Sequence, residues 1–254
     1  MLVRKGLEMA VAGTAVLRLY LIQLGETSIP LANGQTLEMS SGCYLAQTGD
    51  GQNILIDSGL PADYTPPAGA SPAVRERNIV EQLADLHLRP DDIHTLICSH
   101  FDVDHAGYHD AFAHAQLVIQ REHYELARNG HPRYAAARAH WDHPALRYRL
   151  IEGDTELLPG LTLLETSGHC PGHQSALVSL PQTGNVLLAI DAVSQERLFT
   201  ADRKAWPLDD NEEQLRASTR KLLDLVERER VTLVVFGHDG RQWKTLKKAP
   251  SYYA

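Results

Sequence analysis

Short apolar runs bounded by turn residues dominate the chain from about residue 16, a pattern typical of β-strands. Residues 16–24 (VLRLYLIQL) predict a first strand, and residues 42–47 and 53–56 predict two more. The sequence TGDG at residues 48–51 separates the last two, because glycine and aspartate favour the backbone angles of tight turns. The chain therefore begins with a β-rich segment.

A proline-rich segment interrupts this pattern. Residues 60–72 contain four prolines, which cannot donate the hydrogen bonds of a regular element. They predict a long loop, of the kind that often borders an active site. Beyond it, Ile79, Leu83 and Leu86 recur at helical spacing and predict a helix over residues 71–89.

Strands and helices alternate along the middle of the chain. Residues 95–98 and 117–119 are short apolar runs that predict buried strands. Residues 121–128 predict a helix that ends at the Asn-Gly pair following it. Residues 131–143 show no clean period, so they are interpreted as helix or loop, and their histidines are expected at the surface.

The second half of the chain repeats the alternation. A hairpin is predicted around the Pro159-Gly160 turn, and residues 175–180 and 185–190 predict a second antiparallel pair. Residues 209–230 predict the best-defined helix, because apolar residues fall on one face and charged residues on the other. Residues 231–236 predict a buried strand. Two sheets with helices on their outer sides would satisfy this order.

Length and composition narrow the class of protein. The 254 residues suit one domain over residues 16–254, preceded by an N-terminal extension over residues 1–15. A net charge of -8 without runs of like charge argues against nucleic acid or an anionic membrane as a partner. Three scattered cysteines predict no disulfide framework, and Glu8 interrupts an apolar run too short for a clear signal peptide. We therefore expect a cytoplasmic protein.

The densest group of chemically active side chains follows the strand at residues 95–98. His100, Asp102, Asp104 and His105 fall within six positions, immediately after the apolar run stops. A turn after a strand can direct several side chains to one point, and imidazoles and carboxylates are metal ligands. The alternative is a solvated acidic turn with two surface histidines, which a short motif alone does not exclude.

Three more predicted strand ends carry residues of the same kind, namely His169, Asp191 and His238. Any one of them could be a cap or a surface group. Together with the first cluster they supply enough nitrogen and oxygen donors for two adjacent divalent cations. A carboxylate between two cations fixes their spacing, and Asp191 is the candidate bridge. The sequence contains no G-x-S-x-G serine elbow or phosphate-binding glycine loop that would favour other chemistry.

Residues beside these candidates have supporting interpretations. Asp57 follows the strand at residues 53–56 and could hydrogen-bond a ligand histidine or only close a turn. Cys98 and Cys170 are expected to be small buried residues and not ligands. His173 is expected to begin a helix or turn.

The order of the candidate ligands resembles that of the metallo-β-lactamase superfamily, whose usual opening signature is H-x-H-x-D-H. In this chain the order is His100-x-Asp102-x-Asp104-His105, then Gly168-His169, Asp191 and Gly237-His238. Within that superfamily the chain is similar to the N-acyl-homoserine lactonases. The segments that carry this similarity are residues 118–124, 151–154, 166–174 and 236–239.

The resemblance implies a fold and a division of the ligands. The fold is an αββα sandwich, of the α/β (α+β) class, with the metals at one edge of the two sheets. Two divalent ions are implied, with zinc expected and with Asp191 between them. One ion would be held by His100, Asp102 and His169, and the other by Asp104, His105 and His238.

The sequence departs from the lactonase pattern at two positions. Asp102 stands where the family has its second histidine, which adds a negative charge and an oxygen donor and suits manganese or iron as well as zinc. We expect Asp102 to be a ligand, because a carboxylate beside other acidic ligands needs a cation to offset the repulsion. The alternative is that Asp102 turns away and leaves a single metal held by Asp104, His105 and His238. Ser194 stands where these lactonases have a tyrosine, three residues after the bridging aspartate, so a donor to the substrate carbonyl is missing. Tyr108 is a candidate replacement, and both residues are predicted substrate contacts.

The resemblance and the residues together predict a two-metal hydrolase. It would open a lactone ring, with an N-acyl-homoserine lactone as the expected substrate, through a metal-bridging hydroxide. Asp104 and Asp191 are the expected catalytic residues, and Asp104 or a metal-bound water would protonate the leaving alkoxide. The alternatives are a hydrolase of another lactone, an ester or a thioester on the same scaffold, or a non-hydrolytic di-iron redox or metal-binding protein. The protein is expected as a monomer or homodimer.

Overall fold

The fold is taken from a computed structural model that describes residues 14–30, 34, 36–65, 74–75 and 77–254. Most of the predicted N-terminal extension, residues 1–13, lies outside the described residues, and so does the second half of the predicted proline-rich loop. Residues 60–65, the described part of that loop, contain neither helix nor strand, as predicted.

A seven-stranded mixed sheet is built from the first part of the chain. Its order is β4-β1-β2-β3-β5-β6-β7. The first three strands pair antiparallel, whereas β3, β5, β6 and β7 run parallel. The strands are β1 Val16–Pro30, β2 Thr36–Thr48, β3 Asn53–Ile56, β4 Val74–Arg75, β5 Thr95–Ile97, β6 Gln116–Gln120 and β7 Arg147–Ile151.

A five-stranded sheet follows, in the order β12-β11-β10-β9-β8. Its neighbours are antiparallel except β11 and β12, which run parallel because a helix connects them. The strands are β8 Thr155–Leu158, β9 Leu161–Glu165, β10 Gln174–Leu180, β11 Gly184–Ile190 and β12 Leu233–Phe236. The hairpin at Pro159-Gly160 and the β10–β11 pair confirm the predicted strands in this region.

Five α-helices are described. They are α1 Ile79–Asp85, α2 Arg121–Arg128, α3 Arg138–Trp141, α4 Glu212–Arg228 and α5 Gly240–Trp243. Residues 131–143, for which the sequence left helix or loop open, form a 3-10 helix over Pro132–Ala137 followed by α3. In the described part of the chain, no helix is both long enough and apolar enough to cross a membrane.

Side chains that alternate along the strands divide the interior into layers. In β1, Leu21 faces the second sheet, whereas the next residue, Ile22, faces the helices on the other side, near Leu83 of α1. In β11, Leu188 faces the first sheet and Leu187 packs under Leu222 of α4. Two sheets face to face with helices on both outer sides confirm the expected αββα sandwich. Each fully buried aliphatic side chain of this kind contributes roughly 1.5–3 kcal/mol to folding.

Two helices begin later than the apolar pattern predicts, because capping residues set their first turns. Asn78 accepts a hydrogen bond from the Glu81 amide (3.0 Å), and the Glu81 carboxylate accepts one from the Asn78 amide (3.2 Å). The predicted start of α1 at residue 71 was therefore wrong. In α4, Asn211 caps the amide of Gln214 (3.0 Å), so this helix starts three residues after the predicted residue 209.

The loops after β3, β5, β9, β11 and β12 meet at one edge of the sandwich. The strands β3 and β5 are parallel, as are β11 and β12, so their carboxyl ends point the same way within each sheet. Backbone hydrogen bonds join each of two strands to a loop of the other sheet, from the amide of Gln174 in β10 to the carbonyl of Ser99 (3.2 Å) and from the amide of Ser40 in β2 to the carbonyl of His238 (3.4 Å). Side chains from these loops therefore converge at this edge.

Gly168 shapes the loop after β9, and its replacement tests how closely the layers pack there. Its φ of +133° is unfavourable for any residue with a Cβ, and a Cβ would overlap the backbone nitrogen of Leu215 in α4. We expect Gly168→Ala to lower the free energy of unfolding by at least about 2 kcal/mol, measured by urea denaturation.

Gly153→Ala is the matched control, because Gly153 also has positive φ (+65°), whereas a Cβ added there would meet no atom within 4 Å. The free energy of unfolding of Gly153→Ala should fall by only about 1 kcal/mol, because the backbone angle is its one source of strain. Equal losses in both variants would show that the contact with α4 has no energetic weight.

Candidate metal centre

All seven residues named from the sequence as metal ligands lie together at the edge described above. Four come from the loop after β5, and one each from the loops after β9, β11 and β12. Close backbone packing helps: a Cβ on Gly237 would lie only 2.6 Å from the carbonyl oxygen of Ile190, so glycine lets the last loop approach Asp191. The residues are His100, Asp102, Asp104, His105, His169, Asp191 and His238.

The ligand atoms form groups of the size that one cation needs. In each group, one atom from every residue lies within 4.8 Å of the others. These are the same two sets that the resemblance implied, with a third group that includes Asp191 between them. The groups are His100, Asp102 and His169; Asp104, His105 and His238; and His100, His105 and Asp191.

Asp191 lies between the two sets, and both of its carboxylate oxygens lie within 3.2 Å of Nε2 of His238. Its Oδ1 is 2.9 Å from Nε2 of His238 and 3.5 Å from Nε2 of His105. Its Oδ2 is 3.4 Å from Nε2 of His169 and 3.8 Å from Nε2 of His100. A carboxylate placed in this way has the geometry of a bridge between two cations.

The four histidines are oriented by hydrogen bonds on their outer nitrogens. Each Nδ1 lies within hydrogen-bonding distance of an acceptor outside the cluster, so Nδ1 carries the proton and the lone pair of Nε2 faces inward. The acceptors are a carboxylate of Asp57 for His105 (2.8 Å), the Ser40 carbonyl for His238 (2.9 Å), Asp209 for His169 (2.9 Å) and the Ser99 hydroxyl for His100 (2.9 Å).

Several inward-facing atoms make no hydrogen bond within the described part of the chain, although they are buried. They are Nε2 of His100, Nε2 of His105 and Oδ1 of Asp191. Buried polar atoms almost always have partners, so a group of them around one point fits a bound ion. Nitrogen and carboxylate oxygen donors suit zinc, manganese and iron.

The electrostatics of the cluster combine an ionised carboxylate with rings whose pKa values shift in opposite directions. Burial, with a smaller effect of His105, lowers the pKa of His100 to about 3, so this ring is neutral at pH 7. Burial would raise the pKa of Asp191, but His238 and His105 outweigh it and hold that pKa well below its ordinary value. Burial would lower the pKa of His105, yet Asp191 and Asp104 raise it instead, which marks a point where positive charge is stabilised.

Two residues that support the cluster had weak signals in the sequence. Asp57, at a φ of +62°, accepts hydrogen bonds from the amide of Ser99 (2.8 Å) and its hydroxyl (2.7 Å) as well as from His105. Asp57 therefore contacts a candidate ligand histidine, as one of its two interpretations predicted.

His173 is fully buried after a turn, and its Nε2 accepts a hydrogen bond from the backbone amide of Asp191 (3.3 Å). Cys98 and Cys170 are buried free thiols, as predicted.

Arg133 is a part of the centre that the sequence did not single out. Its Nε and Nη2 each donate a 2.6 Å hydrogen bond to Asp102, one to each carboxylate oxygen. Burial would raise the pKa of Asp102, but this ion pair and His100 lower it well below its ordinary value. The expected cation beside Asp102 is therefore present, but it is a guanidinium, so the need to offset this charge does not by itself make Asp102 a metal ligand.

The same guanidinium contacts His169. Burial would lower the pKa of His169, but Asp102 and Asp209 raise it to about 9 and so favour positive charge beside this ring. Nη2 of Arg133 lies 2.7 Å from Nε2. A guanidinium can only donate, so at this contact Nε2 is the accepting nitrogen of a neutral ring, and the positive charge that the two carboxylates favour here is carried by Arg133 instead of by the ring.

A cavity of ≈ 300 Å³ opens beside the second ligand set. Asp104 and His238 lie at its inner side, and much of its remaining wall is apolar. The two predicted substrate contacts lie elsewhere. Tyr108 is half-buried, with its ring centroid 6.4 Å from that of His140. The backbone carbonyl of Ser194 accepts a hydrogen bond from the backbone amide of His238 (2.8 Å). Neither residue lines this cavity, and their contacts with substrate stay predictions. The apolar and aromatic lining includes Met39, Leu60, Tyr64 and Val103.

Comparison with known proteins places the chain among relatives of similar length. An N-acyl homoserine lactonase of Bacillus thuringiensis is 33% identical over 255 residues, covering 93% of this chain and 99% of the relative. The N-acyl homoserine lactonase AttM of Rhizobium radiobacter is 32% identical, covering 94% and 99%.

A solved structure of an N-acyl homoserine lactone hydrolase, with the product N-hexanoyl-L-homoserine bound at its catalytic metal centre, superimposes with a TM-score of 0.83. The two are 32% identical in sequence, and the superposition covers 94% of this chain and 100% of the solved structure. Residues 38–238 match the pattern of the metallo-beta-lactamase superfamily, a span that includes all seven candidate ligands. The chain therefore belongs to the metallo-beta-lactamase superfamily.

Proposed function

We propose that this protein is a metal-dependent lactonase that hydrolyses N-acyl homoserine lactones. The observation that carries the proposal is the cluster of inward-facing Nε2 atoms around Asp191, with the cavity next to it. The lactonases to which the chain is similar over more than nine-tenths of its length support the choice of substrate. They act on lactones of this class, and one is seen with the ring-opened product.

Under this proposal the two ligand sets hold divalent cations. Asp104, His105 and His238 would hold one cation, and His100, Asp102 and His169 would hold the other. Asp191 would contribute a carboxylate oxygen to both sets. A divalent cation there lowers the pKa of a coordinated water and polarises a carbonyl. Zinc is the proposed metal, and the carboxylate at position 102 suits manganese or iron as alternatives.

The cavity would hold the substrate with its lactone ring at the inner end. Asp104 and His238 lie there, whereas Met39, Leu60 and Val103 offer apolar contacts to an acyl chain. This orientation brings the ring carbonyl to the ligand cluster and leaves the chain in the outer part of the cavity. Tyr64 also lines the cavity and could contact the amide of the substrate.

The chemistry requires one proton transfer that the protein can supply. Water adds to the carbonyl carbon and gives a proton to Asp104, the ring C–O bond breaks, and the departing alkoxide takes that proton to become the homoserine hydroxyl. Asp104 is the proposed donor, because its side chain is partly exposed (36%) at the cavity and can exchange protons with solvent. Asp191 is buried, and its proposed role is to hold the cations and not to transfer protons.

The proposed setting is the cytoplasm, with a monomeric or homodimeric protein. Its three cysteines are buried and free, which fits a reducing compartment.

Substrate assays test the proposal directly. Metal-loaded protein should release acid from N-hexanoyl-homoserine lactone at a kcat/KM at least about 100-fold above that for a linear ester or thioester of the same acyl group. Faster turnover of the ester or thioester would identify a different hydrolase, and reduction of O2 or NO without hydrolysis would identify a redox protein.

His238→Ala should reduce lactone hydrolysis more than about 100-fold, because it removes one of the proposed ligands and the partner of Asp191. His143→Ala, at an exposed histidine, is the control and should keep parental activity. Circular dichroism should show both variants folded. Near-parental turnover of His238→Ala with a full metal content would refute its assignment as a ligand.

Val103→Trp should shorten the cavity and discriminate between substrates by chain length. We expect kcat/KM for a decanoyl-homoserine lactone to fall at least about 10-fold more than that for the butanoyl compound. Leu17→Trp is the control, because Leu17 is exposed and does not line the cavity. It should leave kcat/KM for both substrates unchanged. Equal losses for both substrates would place the acyl chain elsewhere.

A further inference from the structure

The two ligand sets differ in one respect that the sequence signature does not reveal. Arg133 lies within the first set, where it contacts both Asp102 and His169. Its side chain is only 16% exposed, and that of Asp102 is 18% exposed. In the described part of the chain, no lysine or arginine forms an ion pair with Asp104 or Asp191, so the second set has no such neighbour.

The contact with His169 uses the atom that a metal would need. His169 Nδ1 hydrogen-bonds Asp209 (2.9 Å), so in the neutral ring the proton is on that side and Nε2 holds the only in-plane lone pair. Nε2 also lies 3.2 Å from Oδ2 of Asp102, an oxygen to which Nη2 of Arg133 donates at 2.6 Å. Nη2 of Arg133 donates to this Nε2 at 2.7 Å. One lone pair cannot accept this hydrogen bond and ligate a cation at the same time.

Arg133 is fixed in this position from its other side. Nη1 donates to the carbonyl of Leu208 (2.8 Å), to Asp210 (2.8 Å) and to the carbonyl of His169 (3.0 Å). With the two bonds to Asp102, every nitrogen of the guanidinium has an acceptor. The stacking of Trp141 on Phe101 (ring centroids 4.6 Å apart) packs the segment that carries Arg133 against the loop that carries Asp102.

The charges of the first set are balanced within the protein. An aspartate at position 102, in place of the imidazole of the family signature, adds one negative charge, and Arg133 adds one positive charge beside it. A divalent cation entering this set would meet a fixed positive charge, and Arg133 would have to release His169.

We infer that Arg133 acts as an internal cation that competes with the metal for the set of His100, Asp102 and His169. The two metal positions are then unequal: the set of Asp104, His105 and His238 binds a divalent cation first, and the set next to Arg133 binds a second one roughly 10–100-fold more weakly. This inference rests on the proposed metal centre, and it concerns the number and affinity of the bound ions.

Metal titration of the intact protein tests this inference without an activity assay. Chelator-stripped protein is dialysed against Zn²⁺ and, separately, Mn²⁺ over a range of free concentrations, and bound metal per chain is measured by mass spectrometry. The parent should bind one ion tightly and a second one roughly 10–100-fold more weakly. Arg133→Met, which keeps the length of the side chain without its charge, should bring the second affinity to within about threefold of the first.

Arg138→Ala is the control. Arg138 lies on the next turn and pairs with Asp142 at 3.1 Å, with half of its side chain exposed, so its loss should leave both affinities unchanged. If Arg133→Met does not fold, as judged by circular dichroism, Arg133→Gln makes the same comparison, because it also removes the positive charge and leaves Asp102 and His169 in place.

Each outcome has one meaning. Two equal affinities in the parent, unchanged in Arg133→Met, would overturn the inference and leave the proposed metal centre intact. A second affinity that falls further in Arg133→Met would show that Arg133 supports the ligand and does not compete with the metal. No binding of either cation by the parent would instead refute the proposed metal-dependent function.

Discussion

The centre of this protein depends on one constraint, namely that a buried carboxylate, Asp191, is held among four imidazoles. Such a group is costly to bury unless positive charge surrounds it. His238 and His105 lower its pKa, and its two oxygens lie within 3.8 Å of Nε2 atoms of all four rings. Everything else at this edge of the sandwich serves to keep the rings in place with Nε2 directed inward.

The support for the rings comes from distant parts of the chain. Asp57 follows β3, Ser40 lies in β2, and Asp209 precedes α4, yet each of them accepts a hydrogen bond from the outer nitrogen of a cluster histidine. The orientation of the centre is therefore a property of both sheets together. Glycines at two loops allow the approach, because a Cβ at Gly168 or Gly237 would collide with a neighbouring backbone.

The departure at position 102 has a different meaning in the folded chain than in the sequence alone. Taken as an isolated substitution, an aspartate for a histidine suggests a harder metal. In the structure it is half of a partly buried ion pair with Arg133, so the substitution changes the charge balance of one ligand set while the other keeps the residues of the family pattern. The centre thus combines a family scaffold with an unequal pair of subsites.

The sequence by itself predicted ten of the twelve described strands, an arrangement of two sheets with helices outside, and the seven residues of the cluster. It missed β4 and β7, and the αββα sandwich came from the resemblance to a known family. Apolar runs ending in histidine or aspartate are local signals, and so is the H-x-D-x-D-H spacing that begins at His100. The starts of α1 and α4 were misplaced, because the caps at Asn78 and Asn211 override the apolar period. Only the tertiary structure decided which groups surround each ligand. Arg133 lies 31 residues from Asp102 in a stretch without clear periodicity. Its contact depends on how residues 131–143 pack over the loop after β5, and no local pattern specifies that packing.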